Sequence, residues 1–125
     1  MISRIIAILL LVLGGALIWQ NHQASFALVV ANALPLLAFC SFVFWAPKLA
    51  IIWRRTLNLC ALFGCLMWFN FQLAIRLDLG QLYSNPEYYG IVAIWAPLYS
   101  TIFAAVVGIA VYVVLRIKLA RNESI

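Results

Sequence analysis

Between Glu87 and Arg116 the chain carries no charged residue. This run, Tyr88 to Leu115, is 28 residues long and is closed by Arg116, Lys118 and Arg121. About 20 helical residues are enough to cross the roughly 30 Å hydrocarbon core of a bilayer. Within the run, Ala96, Ser100, Ala104 and Gly108 recur every four residues. Small side chains at that spacing form a flat stripe along a helix, and a flat stripe lets a second helix approach closely. The run therefore reads as a membrane span that is also a packing surface.

Composition carries this reading to the whole chain. Hydrophobic residues make up 68% and charged residues 9% of the 125 positions. A soluble protein holds about 45–50% apolar and about 25% charged residues. A small domain leaves much of its surface outside, so only lipid accepts this much apolar surface. The expected fold is an all-α membrane bundle of four transmembrane helices in a single domain, residues 1–125. The expected spans are 3–20, 26–46, 56–75 and 90–115.

Charge sets the orientation. Arg4, Lys48, Arg54, Arg55, Arg116, Lys118 and Arg121 all fall on one side of a four-span topology, with Arg76 alone on the other. By the positive-inside bias both termini are cytoplasmic. The net charge of +5 is thus topological. Nucleic acid is excluded as a partner, because no basic groove with stacking aromatics is on offer. From the size and the lack of targeting features, a bacterial inner membrane is the expected location. The N-terminal run resembles a signal peptide, with Gly14-Gly15-Ala16 as small residues, but it continues through Trp19 and reads as an uncleaved first span.

Several local signals refine the spans. Ser25 is an expected N-cap for the second helix. Pro35 predicts a kink near residues 31–35, with Asn32 placed to satisfy the carbonyl that Pro35 frees. Leu49 to Trp53 either lies flat in the interface or begins the third helix. Either Ser84 or Asn85 caps the fourth helix, with Pro86 at its first position. The outer loop from Arg76 to Gly90, with Arg76, Asp78 and Glu87, is the largest polar surface outside and the first place to look for external recognition. Tyr83, Tyr88, Tyr89 and Trp95 read as an aromatic belt. Trp45-Ala46-Pro47 recurs as Trp95-Ala96-Pro97, but the flanking residues and depths disagree. The second copy therefore reads as an interfacial helix start and not as half of a duplication. Asn122-Glu123-Ser124 matches a glycosylation acceptor pattern, which on this topology lies inside and reads as chance.

The chemistry that the sequence lacks narrows the function. No Lys, Arg, Asp, Glu or His lies near the middle of a span, as proton- or cation-coupled transport usually requires. The lone histidine, His22, reads as a solvated turn residue. Cys40, Cys60 and Cys65 read as small buried hydrophobes. No zinc cluster, nucleophile with a base, or phosphate loop is present, so no enzyme, metal or cofactor is expected. The candidate polar intramembrane residues are Asn32, Asn58, Asn70 and Gln72. Asn58, Cys65 and Gln72 share one face, and Asn70 faces elsewhere.

The favoured function is a non-enzymatic integral membrane protein acting through helix–helix contacts. It would be an accessory or assembly subunit of a larger membrane-protein partner, or a self-associating homo-oligomer. The alternative is a small homo-oligomeric transporter or flippase lined by the four amides. A third option is an immunity protein against a membrane-active toxin. A water-filled cavity shared by Asn32 and Gln72 favours transport. A dry contact between them favours the subunit.

Overall fold

The structure, a computed structural model, describes residues 2–123. Ser124 of the acceptor pattern lies outside them. The chain forms four long helices: α1 (Ile2–His22), α2 (Phe26–Trp45), α3 (Ile51–Arg76) and α4 (Pro86–Ala120). All four are long and apolar enough to cross a membrane, and the described residues contain no strand.

The helix ends follow from local chemistry. Ser25 caps α2, its Oγ accepting from the Leu28 N–H at 3.5 Å. Asn85, not Ser84, caps α4: its Oδ1 accepts from the Glu87 N–H at 3.0 Å, and Pro86 fills the first turn, where its missing N–H costs nothing. α4 thus starts four residues before the expected boundary at 90. Trp95-Ala96-Pro97 is not its beginning, and Pro97 lies well inside the helix. At 1.5 Å per residue, the 35 residues of α4 extend about 50 Å. α2 ends where Pro47 enters a 3₁₀ turn, Ala46–Lys48. α3 then begins at Ile51, so the apolar segment after Lys48 opens the third helix and does not lie apart from it. α2 runs through Pro35 without interruption.

α2 and α3 form the central pair, with α1 packed against both on one side and α4 against both on the other. The α3–α4 interface is the most extensive. The core at the crossing consists of Ala7, Ile18, Leu36, Phe39, Cys40, Ala61, Cys65, Trp68 and Ala104. Small residues decide how closely the helices approach. A Cβ on Gly64 would stand 2.7 Å from the Phe39 ring and 2.8 Å from the Ala104 Cβ. Gly14 of α1 lies directly beneath Leu36 and Trp68. The four-residue stripe of α4 is consumed here: Ala96, Ser100, Ala104 and Gly108 are all buried. Ala104 faces Gly64, and Gly108 faces Cys60. The stripe therefore packs within this chain.

The loop from Leu77 to Asn85 folds on itself. Asp78 has a left-handed backbone, φ 53°, a conformation that Asp tolerates better than most residues. Its Oδ1 accepts from the Tyr83 and Ser84 N–H groups, both at 2.9 Å. Those two donors, Ser84 foremost, hold the Asp78 carboxyl below the usual carboxylate range. Asp78 thus shapes the loop, while Arg76 and Glu87 stay exposed.

Candidate functional site

An accounting of polar side chains in the helices defines the site. In a medium without water, each such group needs a partner from the protein. Four hydroxyls bond to their own helix. Ser41 donates to the Ala38 carbonyl at 2.8 Å, Thr56 to Ile52 at 2.7 Å, Ser100 to Ala96 at 2.7 Å and Thr101 to Pro97 at 2.8 Å. Cys60 is more than a small hydrophobe, since its thiol donates across to the Ala104 carbonyl at 3.0 Å.

Six further side chains converge on one network where the Asn85 end of the bundle closes. It joins Asn21, His22, Asn32, Trp68, Gln72 and Tyr89, drawn from all four helices. Asn32 anchors it. Its Nδ2 donates to the Leu28 carbonyl at 2.9 Å and to the Ala93 carbonyl of α4 at 3.1 Å. Ala93 lies four residues before Pro97, which has no N–H to offer it. Asn32 therefore supplies the donor that a proline removed, but the proline is Pro97 on a neighbouring helix. The expected pairing with the carbonyl freed by Pro35 is not made. The Asn32 backbone carbonyl in turn accepts from the Trp68 indole N–H at 3.0 Å.

The two carbonyl partners fix how the Asn32 amide points, and this sets the polarity of the whole network. With Nδ2 on the carbonyls, Oδ1 faces Gln72, whose Nε2 donates to it at 2.8 Å. The Gln72 Oε1 then accepts from the Asn21 Nδ2 at 3.0 Å and lies 3.0 Å from the His22 Nε2. An amide oxygen only accepts, so His22 carries a proton on Nε2. Asn21 Nδ2 also donates to the Gln72 backbone carbonyl at 3.0 Å. The single Tyr89 hydroxyl proton has two acceptors within reach, the Asn21 backbone carbonyl at 2.7 Å and, with the His22 proton on Nε2, the His22 Nδ1 at 2.7 Å. One atom is left over: the Asn21 Oδ1 is buried without a partner.

His22 is therefore not a solvated turn residue. It is 0% exposed, as are Asn32 and Gln72. It ends α1 on the same face as the buried Ala7, Gly14 and Asn21, spaced seven apart. That small-residue heptad in α1 was a signal available in the sequence. Tyr89 likewise turns inward from the aromatic belt, with Tyr83 against its edge, ring centroids 5.8 Å apart.

The four amides do not share a lining. Asn32 and Gln72 meet each other in the interior, Asn70 is exposed on another face of α3, and Asn58, on the Cys65–Gln72 face, is exposed near the start of the helix. Asn70 makes no side-chain hydrogen bond among the described residues. Asn58 lines a 330 Å³ cavity with Arg54 between α1, α2 and α3. Among the described residues, no group of three or more His, Cys, Asp or Glu comes together to hold a metal ion.

The chain is thus an all-helical protein with four potential membrane spans and a buried polar knot. No protein-family model, curated protein or solved structure matches it.

The Asn32–Pro97 relation is testable. Replacing Asn32 with Ala leaves the Ala93 carbonyl without its donor, while Pro97→Ala restores the intrahelical one. Asn32→Ala is expected to cost about 1 kcal/mol less stability in the Pro97→Ala background than in the wild type. Additive losses in a double-mutant cycle of unfolding free energies in micelles would remove this link.

Proposed function

We propose that the chain is an integral membrane protein with both termini in the cytoplasm, acting by helix–helix contact as an accessory or assembly subunit or as a self-associating module. Support for insertion comes from the outward faces. Large apolar side chains such as Leu9, Val12, Leu34, Ile94, Val106 and Ile109 are exposed along the helices, and a bilayer covers such surface whereas water does not. The basic residues gathered at the Arg4, Arg54 and Arg116 end support the orientation. A bacterial inner membrane fits the chain's size.

The observation that carries the contact reading is Asn70. Of the other amides singled out within the spans, Asn32 and Gln72 are satisfied inside the bundle, and Asn58 lies by Arg54 in the cavity. Asn70 is exposed and unpartnered, about 9 Å along α3 from Arg76. It interrupts a row of exposed leucines, Leu59, Leu62, Leu66 and Leu73. Steps of three and four residues form a seam that a second helix can enter. An amide facing lipid is costly, and one opposite a donor or acceptor on another helix contributes about 0.6–2 kcal/mol. The seam thus suits a partner helix with a polar group at matching depth, from a larger membrane protein or from a second copy.

The dry pairing of Asn32 with Gln72 weighs on the same side, since it leaves the transport reading without a lined path. Replacing Asn70 with Leu is expected to weaken association roughly fivefold, with Asn70→Gln retaining it. Native gels and mild-detergent pull-down with mass spectrometry would read this. A protein that stays monomeric with no stoichiometric partner, or association indifferent to Asn70→Leu, sinks the proposal.

A further inference from the structure

We propose that the cavity between α1, α2 and α3 is a binding site for one anionic phospholipid, with an acyl chain inside and its phosphate at Arg54. This rests on the membrane reading but not on the contact reading. The cavity measures 330 Å³, within the roughly 300–1,000 Å³ of ligand sites. Its walls include Ala7, Phe39, Cys40 and Cys65, and the small side chains among these leave the space open. The polar groups on the lining are Arg54 and Asn58, one turn apart on α3 and at the basic end. An apolar hollow with a cation and an amide donor at one end matches an amphiphile with an anionic head.

Charge narrows the occupant further. No acidic residue precedes Asp78 in the chain; Asp78 and Glu87 belong to the opposite end, the loop after α3 and the start of α4, and Glu123, at the basic end just past α4, is exposed. Arg54 is half-buried, so its counter-charge is expected from outside the chain. Arg4, from the start of α1, lies over the Phe44 ring at 5.7 Å and adds positive charge at the same end. Basic pockets between membrane helices on the cytoplasmic side take anionic headgroups in this way. Arg's planar fork suits a phosphate.

The test uses the purified full chain in neutral micelles, with native mass spectrometry of added dioleoyl phosphatidylglycerol or dioleoyl phosphatidylcholine. Recovery of the chain only with detergent-solubilised membranes checks the membrane reading separately. The expected result is a single saturable phosphatidylglycerol adduct. Its affinity should fall about fivefold in Arg54→Gln but not in Arg55→Gln, which removes the adjacent exposed charge. Val43→Phe and Ile6→Phe, which fill the cavity, should reduce the adduct while the charges stay. Ile6 is half-exposed, so that variant tests occupancy without disturbing the core. Equal binding of phosphatidylcholine overturns the proposal, as do equal losses in Arg54→Gln and Arg55→Gln. Inorganic phosphate that competes the lipid off completely, or an adduct unchanged by Ile6→Phe, places the head on the surface and also overturns it.

Discussion

Replacing Gln72 with Leu is expected to lower the stability of the bundle by about 2–4 kcal/mol without changing its helix content. The Gln72 side chain donates to Asn32 and accepts from Asn21 and His22. Leucine keeps the volume and removes all three bonds. Asn21 keeps its second acceptor, the Gln72 backbone carbonyl. The Asn32 Oδ1 and the His22 Nε2 keep nothing. Each buried group left unpaired costs about 1–3 kcal/mol, and Asn32 and His22 are both fully buried. Hydrogen bonds between membrane helices are often worth less, about 0.6 kcal/mol on average, because the separated helices find other partners. The larger figure applies here because Gln72 is the hub: one substitution orphans groups on α1 and α2 at once. Unfolding in micelles followed by tryptophan fluorescence is the measurement, since Trp68 bonds to the Asn32 carbonyl within the same knot. A loss below about 0.6 kcal/mol would mean that water reaches the knot and replaces the lost partners.

The knot also shows which parts of the fold the sequence made legible. Helix number and approximate extent follow from uninterrupted apolar runs and from charges at their ends, which are one-dimensional signals. The stripe from Ala96 to Gly108 was visible because small residues repeat at helical spacing. What it packs against was not, because Gly64 and Cys60 show no pattern of their own that points to α4. His22 was misread for a related reason. A histidine beside Gln20, Asn21 and Gln23 looks like a turn, and only tertiary contact brings Gln72 and Tyr89 over it. Pro97 was misread because Pro86, a better helix start, lies eleven residues earlier. With both prolines in one helix, the second must lie in its interior, and its orphaned carbonyl then calls for a donor from elsewhere. That inference was within reach of the sequence. The identity of the donor, Asn32, needed the fold. Asn58 and Asn70 illustrate the remaining limit. Helical spacing already sets Asn70 on a different face from Asn58 and Gln72, but how far along each face a neighbouring helix covers the amide is decided only by the fold.

Enlarging Gly64 is expected to disrupt the bundle where α2, α3 and α4 meet. Even alanine places its Cβ 2.7 Å from two atoms of the Phe39 ring and 2.8 Å from the Ala104 Cβ. Contacts that short do not persist, so α3 must move away from α2, from α4 or from both. The Phe39 ring could swing aside, but it is buried in the core. Ala104 has no rotamer with which to retreat, so relief there requires a shift of the α4 backbone. Overpacking of this kind costs typically about 1–3 kcal/mol, set against a gain of up to about 1 kcal/mol from replacing a helix-interior glycine. Gly64→Ala should therefore be net destabilising by about 1–2 kcal/mol. Gly64→Leu, with three more carbons in the same space, should prevent the α2–α3–α4 contact from closing. Gly15 supplies the opposite case. It lies in the middle of α1 with nothing within 4 Å of an added Cβ, so Gly15→Ala should raise stability by about 0.5–1 kcal/mol. The two alanine substitutions are alike in propensity and differ only in what surrounds the added methyl group. Thermal unfolding in micelles, followed by circular dichroism, reads both signs. Stabilisation by Gly64→Ala would mean that α3 and α4 are farther apart than the Gly64–Ala104 contact requires. The stripe from Ala96 to Gly108 would then be free to meet another protein.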